Sequence, residues 1–288
     1  MRATLIIATR DRADFLRGCL ASLGEQTAAG RFDVVVVDNG SSDATPAVAE
    51  QFGARRIFVA DPNRGKARNA GLAAASGPLV LFCDDDTIAP PQFVAAHLRA
   101  HETRAARVVS GPIINVADAA ARPAPGPHNY SRAFFCTCNA SAPLAALRAA
   151  GGFDERYDLY GWEDTDLGIR LQARGLRRAW AWDAYIYHIK PKTGESLDLR
   201  ISRAREKAQM AARFVRKSPT WPVKLATGAY PGNFARASLM NAAPLRRLYA
   251  RLAAQNGWAR DRLVDAAYVD ALRTALKLGE VDPGRPGR

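Results

Sequence analysis

Pro78-Leu79-Val80-Leu81-Phe82-Cys83 runs without a charge into Asp84-Asp85-Asp86. A short apolar run that does not alternate reads as a strand buried on both faces, the kind found in parallel sheets. Open α/β sheets bind ligands beyond the carboxyl ends of their strands, so this strand delivers three acids to that place. Adjacent carboxylates repel one another unless a cation neutralises them, and hard divalent ions such as Mn2+ or Mg2+ take oxygen ligands of this kind. Holding a metal-bound pyrophosphate is the expected role; a solvent-exposed turn capped by aspartate is the alternative. In an extended segment Asp84 and Asp86 face one side and Asp85 the other.

The chain before the triplet alternates between strand and helix patterns. Ala3–Thr9 reads as a strand, and Asp14–Gln26 as a helix with Phe15, Leu16, Cys19, Leu20 and Leu23 on one side. Phe32–Val37 is a second strand, followed by a Gly/Ser turn and a helix at Ala44–Phe52; Arg55–Val59 is a third, followed by a loop and a helix through Ala75. Four β–α repeats of this kind predict a doubly wound, mostly parallel sheet. Beyond the triplet, a helix is expected from Pro90 to about His101, a strand over Arg107–Val116, a mobile Pro- and Ala-rich loop over Ala117–Pro127, a short strand over Phe134–Ala140 and a helix over Pro143–Ala150. Gly161-Trp162-Glu163-Asp164 opens a helix closed by Gly175, and Arg177–His188 reads as an aromatic-rich strand. From Leu199 onward helical patterns dominate, and Asp282–Arg288 is expected to fray.

With 288 residues, 48% hydrophobic and 24% charged, the chain is long enough for one substantial α/β domain with an appendage and is not a disordered sequence. Its apolar runs fall far short of the roughly 18 residues that span a bilayer. A strand pattern starting at Ala3 leaves no room for a secretory leader, so a cytoplasmic location is expected. Cys19, Cys83, Cys136 and Cys138 lack the paired spacing of a zinc site and read as reduced, structural thiols. The net charge of +13 is unevenly spread: Met1–Leu199 carries 23 Lys and Arg against 22 Asp and Glu, and Arg200–Arg288 carries 18 against 6. Such a patch suits anionic lipid headgroups, a phosphorylated acceptor or nucleic acid, and charge alone does not choose among them.

Three further groups carry chemistry. Asp38 closes the second strand, where its carboxylate either reads a base N–H or closes a turn with Asn39 and Gly40. Asn63-Arg64-Gly65-Lys66-Ala67-Arg68-Asn69 sets three cations at a helix N-terminus, a place that favours phosphate, although a solvated helix face fits as well. It is neither a Walker loop nor a dinucleotide fingerprint. Trp162, Glu163, Asp164 and Asp166 place an aromatic beside carboxylates in the first turn of a helix; this wall suits a stacked sugar and a carboxylate that deprotonates a hydroxyl, while acids there also simply offset the helix dipole. His188 ends the aromatic strand, where a neutral imidazole completes a metal shell or is merely packed.

Taken in order, Thr4–Thr9, Val36–Asp43 with its Asp38, Asn63 to Gly65 with Arg68 to Gly71, Asp84-Asp85-Asp86 and Gly161-Trp162-Glu163-Asp164 resemble glycosyltransferase family 2, the inverting GT-A enzymes with an Asp-x-Asp motif, over about residues 3–190. The Glu-Asp region resembles the carboxy-terminal domain of galactosyltransferase-type enzymes. The resemblance implies a GT-A fold, a Rossmann-like and mostly parallel sheet flanked by helices, with a basic helical C-terminal extension. It divides the chain into a catalytic domain over 1–198, with a nucleotide-binding half 1–115 and an acceptor-binding half 116–198, and an extension over 199–288. The donor implied is a UDP-, GDP- or dTDP-sugar and the acceptor a glycan or lipid-linked hydroxyl of envelope polysaccharide synthesis. Asp38 is implied to bind the base, Thr9, Arg10 and Asp11 to line its pocket, and Asn63, Gly65, Lys66 and Arg68 to lie near the pyrophosphate. Asp85 falls near the ribose or donor sugar, with Trp162 stacking a sugar. Asp86 and His188 are implied to hold Mn2+ or Mg2+ with Asp84 in support. Asp164 matches the family's base, Glu163 would orient acceptor or base, and Asp166 is the rival base.

Two other readings compete. A sugar nucleotidylyltransferase also pairs a metal with an α/β sheet, but it needs an N-terminal Gly-rich phosphate loop where this chain has Ala8-Thr9-Arg10-Asp11. A basic binding module on a degenerate scaffold would rest on the tail. That tail carries no nucleic-acid-binding signature, so no nucleic-acid partner is expected, and its Arg and Lys with Trp221, Tyr230 and Tyr249 suit peripheral contact with an anionic membrane at the inner face. Ala117–Tyr130 and Lys190–Ser196 are expected lids.

Overall fold

The computed structural model describes residues 1–102, 107–190 and 195–278. The chain divides into two compact units, Met1–Asp158 with Glu163–Thr193, and Leu159–Trp162 with Gly194–Arg288. The first contains, in order, β1 (Ala3–Thr9), α1 (Ala13–Gly24), β2 (Phe32–Asp38), α2 (Thr45–Gln51), β3 (Arg55–Phe58), α3 (Arg64–Ala74), β4 (Leu79–Cys83), β5 (Thr87–Ile88), α4 (Phe93–Glu102), β6 (Arg107–Ser110), β7 (Ile113–Val116), β8 (Asn139–Pro143), α5 (Leu144–Ala149), α6 (Glu163–Ala173), β9 (Arg177–Trp180) and β10 (Ile186–Ile189). Seven strands form one sheet in the order β3-β2-β1-β4-β8-β6-β9, and β5-β10-β7 form a small second sheet. In the large sheet every neighbouring pair is parallel except those of β8, which runs antiparallel to both β4 and β6. This is the mixed α/β, mostly parallel sheet that the strand–helix alternation predicts.

The unbroken apolar run of β4 has a physical cause. Leu79, Leu81 and Cys83 enter the core on one face with Leu5, Ile7 and Val36, while Val80 and Phe82 enter the core on the other with Ile6, Val35 and Val37. Burying such a side chain contributes roughly 1.5–3 kcal/mol, so a polar residue at any β4 position would forfeit one layer of packing. Phe82 adds edge contacts to Phe135 and Phe153, each 5.7 Å between ring centres. Helix α3 packs closely because Gly71 has no Cβ; one there would lie 2.6 Å from Ile6 Cγ2. That approach carries Asn63 and Arg68 to the carboxyl end of the sheet.

Three expected elements are corrected. Arg107–Val116 is two strands in two sheets, not one, because the chain crosses another backbone at Gly111, where a Cβ would sit 1.9 Å from the Ala184 carbonyl oxygen, and Pro112 then offers no N–H to a ladder. Arg177–His188 breaks at the same crossing into β9 and β10, joined through a turn in which Ala184 N–H donates to Ala181 O at 3.2 Å. The strand expected at Phe134–Ala140 lies instead at Asn139–Pro143. Its small residues have weak strand propensity, yet they are buried because neighbouring side chains satisfy their polar groups.

The second unit is helical: α7 (Leu197–Lys217), α8 (Trp221–Thr227), α9 (Pro231–Met240), α10 (Ala243–Leu252) and α11 (Gly257–Leu278). Ala208, Ala211 and Ala212 on α7 are fully buried with Leu272 of α11, small side chains that let two helices pack closely. Among the described residues no helix is long and apolar enough to cross a membrane. Lys190–Ser196 lies partly, and Asp282–Arg288 wholly, outside the described residues.

Candidate active site

The acidic triplet occupies a turn between β4 and β5, pinned where Thr87 Oγ1 donates to the Asp84 carbonyl at 2.7 Å. Strand alternation therefore does not apply, and Asp85 and Asp86 meet one group together, the Arg12 guanidinium. Arg12 Nε lies 3.2 Å from Asp85 Oδ1 and Nη2 lies 2.7 Å from Asp86 Oδ2. Thr9 Oγ1 donates to Asp85 Oδ2 at 2.7 Å. Burial pushes the Asp85 carboxyl up to about 6 despite Arg12 and Thr9. Burial opposes ionisation at Asp86 too, but His188 and Arg12 outweigh it and hold Asp86 below its ordinary value. His188 Nε2 stands 3.1 Å from Asp86 Oδ1, delivered by the antiparallel pairing of β10 with β5, His188 opposite Thr87.

Asp84, Cys138 and His188 each bring a ligand atom within 4.8 Å of the others. A hard divalent ion takes carboxylate oxygen and tolerates imidazole, whereas thiolate selects softer metals. Burial, then the nearby Asp84, keeps the Cys138 thiol protonated far above its usual range. Asp84 and His188 are thus the donors of this cluster suited to a hard divalent ion, Cys138 is a neutral wall, and Asp86 stands beside them on His188 Nε2.

A second acidic group stands at the start of α6. Asp164 Oδ2 accepts from both the backbone N–H and the hydroxyl of Thr137, each at 2.8 Å. Arg68 Nη1 lies 2.9 Å from Glu163 Oε1 and 3.6 Å from Asp164 Oδ1. Among the described residues, Glu163 Oε2 and Asp164 Oδ1 are buried oxygens with no hydrogen-bond donor, a condition that costs about 1–3 kcal/mol per group. Burial pushes the Asp164 carboxyl up to about 6, against the pull of Arg68. Arg68 is desolvated too, but Asp164, Glu163 and Asp84 more than compensate and fix its charge. Asp166 is different: Arg170, one turn along, holds its Oδ2 at 2.9 Å through Nε and 2.8 Å through Nη2, and its side chain is 3% exposed.

The remaining predicted residues separate. Asp38, fully buried, does close a turn, accepting from Ser41 N–H at 2.9 Å, and its other oxygen takes Arg56 Nη2 at 2.7 Å. Asp11 is left-handed at φ 51° and accepts from Ser42 N–H at 2.7 Å, tying the loop after β1 to that after β2; these bonds to Ser42 lower its pKa. Arg10 is exposed beside Asp11. Asn63 caps α3 by accepting from Lys66 N–H at 2.9 Å, Gly65 makes room for the Asp154–Glu155 backbone, and Lys66 pairs with Asp61 at the surface. Trp162 is left-handed at φ 78°, with its indole N–H on Lys207 O at 2.8 Å and its ring 6.0 Å from Phe214, all within the second unit. Arg12, Arg56 and Thr137 were not singled out by sequence, and Cys138 was read only as a structural thiol. The alternating charge of Arg10-Asp11-Arg12 just after β1 was the one available signal.

Residues 4–144 match the model of glycosyl transferase family 2. These residues form a glycosyltransferase family 2 domain. It is 31% identical over 269 residues to a validoxylamine A glucosyltransferase of Streptomyces hygroscopicus subsp. jinggangensis, an alignment covering 75% of this chain and 61% of that protein. A second protein of that description, from subsp. limoneus, is 30% identical and covered over 57% of its length. The chain thus spans about three fifths of these relatives. Among solved structures it resembles the mannosyltransferase PcManGT of Pyrobaculum calidifontis in complex with GDP-Man and Mn2+, with TM-score 0.65, 20% identity, 96% of this chain and 87% of that chain covered. It also resembles Staphylococcus aureus TarS 1–349 in complex with UDP-GlcNAc, with TM-score 0.58, 20% identity, and 96% and 91% covered. At such identity the likeness establishes the GT-A fold.

Proposed function

We propose that this chain transfers a sugar from a nucleoside-diphosphate sugar to an acceptor hydroxyl with inversion, using Mn2+ or Mg2+. The observation that carries this reading is the gathering of Asp84, His188 and Cys138, with Asp86 on His188, beside a separate buried carboxylate, Asp164, whose pKa is raised. The solved relatives that hold GDP-Man with Mn2+, and UDP-GlcNAc, support the donor class.

When bound, the metal neutralises charge on the departing diphosphate. Asp38, fully buried on Ser41 and Arg56, would receive a base N–H, compatible with uracil, thymine or guanine, once Arg56 yields its place. Thr9 and Asp85 would meet ribose or donor-sugar hydroxyls, and Arg12, held on Asp85 and Asp86, would meet the phosphates beside them. Asp164 takes the proton of the acceptor hydroxyl. The freed oxygen forms its bond to the anomeric carbon while the bond from that carbon to the diphosphate oxygen breaks with its electron pair. Glu163, fixed by Arg68, orients the acceptor, and Asp166, spent on Arg170, keeps α6 in place. Asn63 and Gly65 shape the loop that presents Arg68.

A screen of UDP-, GDP- and dTDP-sugars with Mn2+ tests the reading. One donor should be turned over in a metal-dependent manner, and Asp86→Ala should weaken Mn2+ binding, read by electron paramagnetic resonance, by about 10–100-fold. Failure of every donor to bind would sink the proposal.

The acceptor is proposed to be a glycan or lipid-linked glycan at an anionic membrane surface, with the basic second unit as the docking element. Arg246 is engaged, since it pairs with Asp270 at 2.6 Å, so it is left in place. Arg247→Glu/Arg251→Glu, both exposed, should remove about 1 kcal/mol of vesicle affinity per cation replaced, read by co-sedimentation with phosphatidylserine vesicles. Unchanged sedimentation would eliminate the docking role.

A further inference from the structure

Three aromatic rings gather at the carboxyl end of β9, outside both acidic groups. Trp180 ends the strand, Trp182 follows in the turn, and Tyr130 arrives from the loop after β7. Ring centres are 4.9 Å apart for Tyr130 and Trp180, 5.6 Å for Trp180 and Trp182, and 6.5 Å for Tyr130 and Trp182. Trp182 is 46% exposed and Tyr130 49% exposed, so two large aromatic faces stay open to solvent while Trp180 supports them from below. The Arg178 guanidinium stands 5.1 Å from the Tyr130 ring centre and 5.0 Å from that of Trp180, donates to the Tyr130 hydroxyl at 3.3 Å, and bonds the Ser131 carbonyl.

The cluster is rigidly mounted. Asn139 donates from Nδ2 to Pro112 O at 3.1 Å and Ala184 O at 2.8 Å, fixing the Ala184 end of the turn that carries Trp182 to the segment between β6 and β7. The Tyr130 loop is tied down by Arg178 and by the Tyr187 hydroxyl on Pro123 O at 3.3 Å. Exposed aromatic surface held in this way marks a binding site; rings whose shape is fixed beforehand lose little entropy when a ligand stacks on them.

The position of the cluster identifies its ligand. Asp164 is tied to Thr137, two residues before β8, and β8 begins opposite the last residue of β4. Trp180 closes β9, two strands further along the same sheet, beyond β6. Neighbouring strands lie roughly 4.8 Å apart, so the rings stand about 10 Å across the sheet from the strand that anchors Asp164. Both lie at the carboxyl end.

Building on the function proposed above, we propose that Tyr130, Trp180 and Trp182 form a stacking platform for a sugar ring of the acceptor, and that the acceptor is consequently an oligosaccharide rather than a single sugar. Pyranose rings present a C–H face that packs on aromatic rings and hydroxyls at the rim, and Tyr and Trp combine an apolar face with a polar tip. A single-stranded nucleic acid would need stacking rings lining a basic groove, whereas the guanidinium among these rings is committed to Tyr130 and Ser131. A membrane surface would draw on the cationic excess, which lies in Arg200–Arg288.

The test is calorimetric titration of the full chain with glucose, N-acetylglucosamine and mannose and with their linear tetrasaccharides, beside separate titrations with UDP-, GDP- and dTDP-sugars. At least one tetrasaccharide should bind at millimolar concentration or below and more tightly than its monosaccharide. Trp182→Ala should weaken that binding by about tenfold or more, as the loss of an aromatic anchor does, and Trp182→Phe should restore part of it. Absence of binding by every tetrasaccharide, binding unchanged in Trp182→Ala, or a self-association of the chain that disappears in Trp182→Ala without saccharide binding would each overturn the platform. Donor titrations separate the two proposals: donors that bind when saccharides do not overturn the platform alone, and saccharides that bind in a Trp182-dependent manner when no donor does overturn the transferase reading alone.

Discussion

Asp164→Asn lowers turnover by about 10²–10⁴-fold, the usual contribution of a positioned general base, and leaves donor affinity unchanged. The substitution is nearly isosteric, and an amide oxygen can still accept from Thr137 N–H and Oγ1, which anchor the carboxylate at 2.8 Å each. What disappears is the capacity to take a proton. The loss should therefore fall on kcat and not on the donor titration. Because burial raises Asp164 to about 6, the wild-type rate should fall as pH drops through that value rather than through the ordinary aspartate range, since the protonated form cannot act as base. Asp166→Asn is the contrast. It breaks the bond to Arg170 and should lower thermal stability with a far smaller effect on the rate of the folded enzyme. An Asp164→Asn variant with wild-type turnover, beside an inactive but folded Asp166→Asn, would transfer the role to Asp166.

The choice between these two acids shows where sequence reasoning reached its limit. Both lie in the first turn of α6, and position alone makes them equivalent. Their difference is tertiary: Thr137 and Arg68 come from distant segments to Asp164, while Arg170, one turn ahead, takes Asp166. The four strand–helix repeats and the acid-bearing end of β4 were legible because a strand buried on both faces must be apolar throughout. The split at Gly111 was not, because the cause is the Ala184 backbone some seventy residues away. Strand β8 was placed too early in the chain for a related reason: Asn139 and Ser141 are polar in sequence and become core residues through partners on α4 and in the crossing segments at Pro112 and Ala184. Arg12 followed the same pattern, an unremarkable cation after β1 until the fold brought it to Asp85 and Asp86.

Those partners of β8 lead to the second large effect, an acid sensitivity seated at His97 and His101. Asn139 spends both amide protons on Pro112 O and Ala184 O, so its oxygen must accept and His97 Nε2 must carry the proton, at 2.9 Å. His97 Nδ1 is then an acceptor for the Ser141 hydroxyl at 2.8 Å, which in turn accepts from His101 Nε2 at 2.9 Å. The chain requires a neutral His97, whose Nδ1 must accept; His101 donates to Ser141 in either state and is kept neutral by its burial. Burial lowers His97 to about 3, and burial lowers His101 to about 4. Because both folded values lie below the unfolded value, the unfolded chain binds more protons between them, and the stabilisation is lost as pH falls below about 6.5. At pH 5 each histidine withdraws about 2 kcal/mol. Asp85 and Asp164 act in the opposite sense over the same range, since carboxyls raised to about 6 in the fold take up protons there and offset part of the loss. The measurement is accordingly a difference: urea unfolding at pH 7 and pH 5 for the wild type and for His101→Gln, whose amide can still donate to Ser141. The variant should be about 2 kcal/mol less acid-sensitive than the wild type, and equal sensitivity in the two would place the titrating groups elsewhere. Because Asn139 also holds Pro112 and Ala184, the turn carrying Trp182 should lose its order in the same acid window, so saccharide binding at the aromatic rings should weaken before the sheet itself unfolds.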